Sequence, residues 1–319
     1  MDFWRLVIGL IAIGSIGRVI GDQQYVSFYF DFFGNFLIIS TLIGIIGMLV
    51  FLAFAKYGWA LIALFSLAIN GVYLAPFFIP YTVNLQASET RTLSILGADF
   101  GGSTPIESDL EDLLNEAADG EILFFTGVSE SAVSTLLRLK GSFPYHELSP
   151  LAGPGGVGIF SKHPLNGCPL HFFQTSRSPT LICRLDLNGS GIDLAVTFSP
   201  RPYLEVEYQT RNGHIKKLGE YLKNHPGPMI MYSNLNSPVW SAAVEGLMRD
   251  ASLVSSRYGH GLIPTWPVVD IPVLGRIGLL PIHDLFVSSF IKVNRISTIS
   301  RKLSLPALPL KGDIEIPVR

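Results

Sequence analysis

The residues of this chain that could do chemistry are few, and they sit at the ends of apolar runs. Asn234 and Asn236 follow the run Met229 to Tyr232, His283 and Asp284 are adjacent within Leu280 to Ser289, and Asp313 precedes the last run, Ile314 to Val318. Oxygens and an imidazole of these kinds can hold a hard divalent cation or carry protons. The same side chains in loops also serve as ordinary hydrogen-bonding groups for the backbone. Cys168 and Cys183 flank a polar turn, Gln174 to Pro179. They can face one another across a hairpin and form a disulfide in an oxidising compartment, or stay as two buried thiols.

The elements that must position these groups divide the chain. With 319 residues, 48% of them hydrophobic, and a mean hydropathy of +0.40, it is too apolar for a purely soluble protein. The excess lies at the front, where only Arg18, Asp22, Asp31 and Lys56 carry charge between Leu6 and Tyr81. Three apolar runs, Phe3 to Ile20, Phe32 to Ala55 and Trp59 to Pro80, approach the ~20 residues that cross a ~30 Å hydrocarbon core. They predict three transmembrane helices. The first is an uncleaved anchor, since no small-x-small site precedes a polar terminus, and Arg18 snorkels from its end. Arg5 and Lys56 place the N-terminus in the cytoplasm and, after three crossings, the C-terminal domain outside. The aromatic run Ser27 to Phe36 fits a membrane-interface belt, and Asp31 and Asn35, four apart, could bond a neighbouring helix or interfacial water. A net charge of −2 gives no basic stripe, so no nucleic-acid partner is expected.

Residues 1–82 thus form a membrane domain, 83–90 a linker, and 91–319 an α/β domain of alternating strands and helices. Strands are predicted at Arg91–Leu96, Glu121–Phe125, Val157–Ser161, Thr180–Asp186, Ile192–Phe198, Pro228–Tyr232, Leu285–Phe290 and Ile314–Val318. Helices are predicted at Ser108–Ala118, with acidic residues in its first turn, at Ser129–Lys140 with Ser129 as N-cap, at Thr210–Asn224 and at Ala242–Asp250. Lys216, Lys217 and Lys223 mark the solvent side of the third, and Asn188 to Gly191 is the turn of a hairpin.

The blocks GVGIFSKHPL (Gly156 to Leu165), MIMYSNLNSPVW (Met229 to Trp240), LIPTWPV (Leu262 to Val268) and LPIHDLFVSS (Leu280 to Ser289), in this order, resemble the endonuclease/exonuclease/phosphatase superfamily, and more narrowly its bacterial membrane-anchored branch with about three transmembrane helices. The resemblance implies a two-sheet α/β sandwich, the fold of deoxyribonuclease I. It also implies a divalent cation held by carboxylate and amide oxygens, a His with an Asp partner for proton transfer, and Asn or Asp to position water and phosphate. The positions that should supply these groups are changed. Leu96 stands where the first strand should end in Asn, and Thr126 and Gly127 where Gln and the metal-binding Glu belong, with Glu130 nearby at a helix start. Phe198 replaces His in Thr-His-x-x-Pro, and Asn234 replaces Asp in Gly-Asp-Phe-Asn, while Asn236 is kept. Ile282-His283-Asp284 exchanges the two polar residues of Ile-Asp-His, which alternation turns to opposite sides of the strand. Asp313 sits near the Asp of the terminal Ser-Asp-His block, with Ile314 or Glu315 where His belongs.

Leu96, Gly127, Phe198 and Asn234 therefore read as eroded positions, and Asn236, His283, Asp284 and Asp313 as remnants. The expectation is a catalytically inactive member, without a cofactor, that serves as a structural or partner-binding subunit among other membrane proteins in the bilayer of the bacterial inner membrane, its C-terminal domain periplasmic or extracellular. The alternative is an active phosphodiesterase or phosphatase that uses Mg²⁺ or another divalent cation in a rearranged site.

Overall fold

The computed structural model describes residues 1–20, 36–83, 89–116, 120–187, 189–272, 275–300 and 303–318. Most of the expected linker, most of the aromatic run with Asp31 and Asn35, the side chain of Arg18 and the turn residue Asn188 lie outside them. The chain divides into two compact units, Met1–Pro80 with Trp240–Ala242, and Tyr81–Val239 with Ala243–Arg319.

The first unit holds three helices, α1 (Asp2–Ile20), α2 (Leu37–Ala53) and α3 (Tyr57–Phe78). A small core of Ile8, Phe51, Ala60 and Ala63 joins them. Gly47 lets α1 approach α2, since a Cβ there would meet Ile8 Cδ1 at 2.5 Å. Asn70 ties all three together: its Nδ2 donates to Thr41 Oγ1 (3.1 Å) and Ser40 Oγ (3.3 Å), and its Oδ1 accepts from Ser15 Oγ (3.1 Å). The expectation of three spans is corrected on length and composition. Among the described residues only α3, at 22 residues, is long and apolar enough to cross a membrane. α2 is apolar but stops at 17 residues, before the left-handed turn at Ala55, and α1 carries Asp2, Arg5 and Arg18 within its 19.

In the second unit, the strands are β1 (Glu89–Asp99), β2 (Ile122–Thr126), β3 (Tyr145–Ser149), β4 (Val157–Ser161), β5 (Leu165–Asn166), β6 (Leu170–Phe172), β7 (Pro179–Leu187), β8 (Ser190–Phe198), β9 (Met229–Asn234), β10 (Leu253–Ser255), β11 (Trp266–Ile271), β12 (Gly275–Leu280), β13 (His283–Ser288), β14 (Lys292–Thr298) and β15 (Leu310–Val318). Among the described residues they form one sheet of order β14-β15-β1-β2-β4-β3, a second of order β10-β13-β9-β8-β7-β5 with β6 beside β7, and a β11-β12 hairpin. The two large sheets face each other. Their inner faces carry Leu93 and Ile95, Ile122 and Phe124, Leu194 and Val196, Ile230 and Tyr232, Leu285 and Val287, each pair two apart as alternation requires. Gly97 leaves room for the Tyr232 ring, which a Cβ would meet at 2.3 Å and which stacks on Phe124.

The outer faces are covered by helices. Leu96, Ala98, Leu123, Phe125 and Phe160 form a second core with Leu110 and Leu113 of α4 (Glu107–Glu116) and with Ala132, Leu136 and Leu139. The expected helix from Ser129 to Lys140 is instead a 3₁₀ turn, one α-turn over Val133–Leu136 and a second 3₁₀ turn. The three-residue spacing of Leu136 and Leu139 toward this core suits that tighter winding. Ser129 does not cap it; its hydroxyl pairs with that of Ser131 at 2.9 Å. On the other sheet, α5 (Glu205–Lys223) buries Tyr208, Arg211, Ile215, Leu218 and Leu222 at helical spacing and leaves its lysines exposed. It starts at Glu205 rather than Thr210, because the Glu207 carboxylate accepts the backbone N–H groups of Tyr203 and Leu204. α6 (Ala242–Ala251) buries Val244, Leu247 and Met248.

Candidate functional site

At the C-terminal ends of the inner strands the apolar alternation continues into polar residues. β1 presents Leu93, Ile95, Gly97 and then Asp99; β2 presents Ile122, Phe124 and then Thr126; β9 ends in Asn234, and β13 begins with His283. Parallel pairing sets Asp99 beside Thr126, and antiparallel pairing sets His283 opposite Asn234. All four side chains converge between the sheets.

Asp99 is the centre of this convergence. It is 2% exposed, and all of its bonds come from neighbours. Oδ1 accepts from Thr126 Oγ1 (3.0 Å) and Gly101 N (3.2 Å), and Oδ2 from His283 Nε2 (3.1 Å) and Asn234 Nδ2 (3.2 Å). Burial alone pushes the Asp99 carboxyl up; the hydrogen bond and charge of His283, with the bonds from Gly101 and Thr126, more than reverse this and hold it below the usual carboxylate value. The other ring nitrogen of His283 lies 3.2 Å from Thr265 Oγ1, which fixes the imidazole at both ends.

Asn236, in the left-handed region at φ 48°, donates to the Ser199 carbonyl at 2.6 Å and binds Asn234 Oδ1 through its backbone N–H. Its own carbonyl accepts from the buried Arg211. Asp284, one residue past His283, turns to the opposite side of β13. There it pairs with the fully buried Arg257, accepts from Ser255 Oγ at 2.6 Å, and binds its neighbour's N–H, while Arg257 also donates to the carbonyls of His283 and Ile263. A buried ion pair needs this many partners to offset its desolvation.

The remaining sequence candidates sit elsewhere. Leu96 points to the outer core, because it is out of phase with Asp99; the strand-end position that faces the site is Asp99, three residues on. Asp313 pairs with Ser94 on the outer side of the sheet, well back from the strand end, and β15 first reaches the Asp99 end at Leu310, opposite Gly97. Neither Asp313 nor Glu315 therefore reaches the Asp99 end of the sheet. Glu315 binds Thr90 and Lys292, and Glu130 is exposed in its 3₁₀ turn. Phe198 is buried in the inner core at the site's edge. Thr265 belongs to the LIPTWPV block that the sequence resemblance singles out, whereas Asp99, Arg257 and Arg211 are not among the sequence candidates. For Asp99 a signal existed, the period-two count from Leu93; for the arginines there was none.

The residues present do not fit the divalent cation that the sequence resemblance implies. Gly127 has φ 70°, and a Cβ there would meet Gly101 N at 2.3 Å and Asp99 Oδ1 at 2.7 Å, so no glutamate can occupy it without displacing backbone. Asp99 has spent both oxygens on four donors. Among the described residues no group of three or more His, Cys, Asp or Glu side chains is placed to hold a metal ion.

Beside the site opens a cleft of about 660 Å³, between the β1 loop at Gly101, the loop through Pro154 and Gly155, Arg177, and the segment from Phe198 to Tyr203. Cys168 and Cys183 form a disulfide, Cys183 within the core between the sheets and Cys168 packed against it. The β6–β7 register pairs Leu170 with Leu181, and two residues further it sets the cysteines opposite one another.

No family model and no curated protein matches the sequence. Solved structures do match the fold. A humanized TDP2 of D. rerio aligns at TM-score 0.57 and 16% identity over 70% of this chain and 98% of its own. An endonuclease/exonuclease/phosphatase family protein of Bacteroides thetaiotaomicron aligns at 0.54 and 11% over 72% and 100%, and one of Beutenbergia cavernae at 0.54 and 13% over 71% and 72%. The second unit has the deoxyribonuclease I-like fold of the endonuclease/exonuclease/phosphatase superfamily. At these identities the likeness is one of fold, and the chemistry rests on the site's own residues.

Proposed function

We propose that this chain is a membrane-anchored, non-catalytic protein of deoxyribonuclease I-like fold that serves as a structural or partner-binding subunit of a membrane complex. The observation that carries this reading is the closed network at Asp99, beside Gly127, where the sequence resemblance would put the metal carboxylate. A phosphoryl transition state needs a cation or free donors aimed at the reacting oxygens, and here the donors are already paired with protein groups. Anchoring is supported by α3 and by the large apolar side chains on the surface of the first unit, such as Leu6, Leu10, Leu49, Leu61 and Phe65. The disulfide favours an oxidising compartment, and the positions of Arg5 and Lys56 favour a cytoplasmic N-terminus; both support the reading of a periplasmic or extracellular domain on a bacterial inner membrane.

The test is hydrolysis of bis-p-nitrophenyl phosphate by the full chain in mild detergent with Mg²⁺, Mn²⁺ or Ca²⁺. No turnover above the metal-only blank is expected. Metal-dependent turnover abolished by Asn236→Ala would overturn the reading in favour of a phosphodiesterase with a rearranged site. Copurification adds a second readout: a stoichiometric companion supports the subunit role, and a protein without one counts against it.

A further inference from the structure

The cleft beside the closed network holds polar groups that the network leaves unused. Arg177 and Arg201 line it from opposite loops, and among the described residues neither guanidinium has a carboxylate partner. Arg201 is held by the face of Trp266, 5.3 Å from the ring centroid, so its position is set before anything binds. The cleft's one carboxylate, Glu207, is committed to the backbone N–H groups of Tyr203 and Leu204. The recess therefore offers one positive group held in place, Arg201, and a second, Arg177, that is exposed, beside the apolar Pro200 and Tyr203.

Its rim extends the same chemistry. Tyr203, Leu204 and Val206 are 73%, 63% and 64% exposed, an unusual cost for three large apolar side chains within four positions. Tyr203 belongs to the cleft wall, and the other two carry the apolar surface outward along the start of α5. A small anion seated in the cleft would leave Leu204 and Val206 in water; an extended chain passing through the cleft would cover them. Tyr and Arg are also the side chains that most often anchor protein interfaces.

We infer that this cleft and its rim bind a partner protein's acidic, apolar peptide segment, its carboxylates on Arg177 and Arg201 and its apolar side chains on Tyr203, Leu204 and Val206. The inference rests on the non-catalytic reading, and it names the partner's chemistry.

Fluorescence anisotropy of the full chain in detergent tests it, with a short labelled peptide in which Asp and Phe alternate and a second in which Lys replaces Asp. The acidic peptide is expected to bind the natural chain. The double variant Arg177→Glu, Arg201→Glu is expected to lose about tenfold or more in affinity for it and to gain affinity for the Lys peptide, a swap that an unfolded variant could not show. Equal binding of the two peptides by the natural chain, or an unchanged affinity in the double variant, would overturn the inference. Displacement of the acidic peptide by inorganic phosphate at matched ionic strength would also overturn it, since the site would then be one for small anions. Phosphoester hydrolysis measured on the same preparation keeps the two readings apart. If the peptide fails and hydrolysis is absent, only the cleft assignment falls; if hydrolysis appears, the non-catalytic reading falls.

Discussion

At the scale of single residues, the negative charge of the strand-end constellation has moved. The resemblance implies an amide at the end of the first strand and a carboxylate in the strand-end loop; here Asp99 holds the carboxylate and Asn234 the amide, 3.2 Å apart. The exchange keeps one charge between the sheets but removes the second anion that a cation would need, because Gly127 cannot regain it. Gly127→Glu is accordingly expected to destabilise the domain by about 3 kcal/mol through left-handed strain and overlap with Gly101, and to confer no Mn²⁺ binding. Urea unfolding and isothermal titration with Mn²⁺ check the two halves of that statement. His283 and Asp284 show why adjacent residues of similar chemistry are not interchangeable. Alternation gives one to Asp99 and Thr265 and the other to Arg257 and Ser255.

At the scale of elements, the long strands were legible because their apolar residues recur every second position, and α5 because its buried residues recur every third or fourth. The short ones were not. β5, β6 and β10 hold two or three residues each, and the β11–β12 hairpin carries Arg276 and Asp270 rather than an apolar alternation. The first strand was also expected to stop at Leu96, before Gly97, while its pairing with β2 runs to Asp99. The cysteine pair shows register deciding chemistry. Sequence left open a disulfide or two thiols, and the β6–β7 pairing brings the two together across a separation of 15 residues. Replacing both with serine is expected to cost about 3 kcal/mol, the loop-closure value for that separation, as read by urea unfolding with and without reductant.

At the scale of the whole molecule, acid stability follows from groups the sandwich buries. His214 sits fully buried under β8 with Nε2 3.0 Å from Thr197 Oγ1, and burial pushes its pKa down from 6.5 to about 4. The folded domain holds it neutral while the unfolded chain protonates below 6.5. Stability is therefore full above pH 6.5 and falls by roughly 3 kcal/mol as pH drops to about 4. Asp99, held below its ordinary value of 3.8, adds a further loss below that pH, where its carboxylate must take up a proton. Urea midpoints measured from pH 7 to pH 4 should flatten in a His214→Gln variant. An unchanged slope would place the acid sensitivity elsewhere.

The sequence by itself determined what depends on neighbours in the chain: the apolar front, the alternation of strands, the amphipathic face of α5 and the order of blocks that announces a two-sheet sandwich. It also showed that the positions expected to bind a cation had changed. Only the tertiary structure decided what replaced them. Asp99 meets Asn234 across 135 residues and His283 across 184, and that contact exists because two sheets pack face to face and bring the ends of separate strands to one point. No local propensity encodes such a meeting. The same packing turned Leu96 and Asp313 away from the site and left Arg177 and Arg201 facing an open cleft.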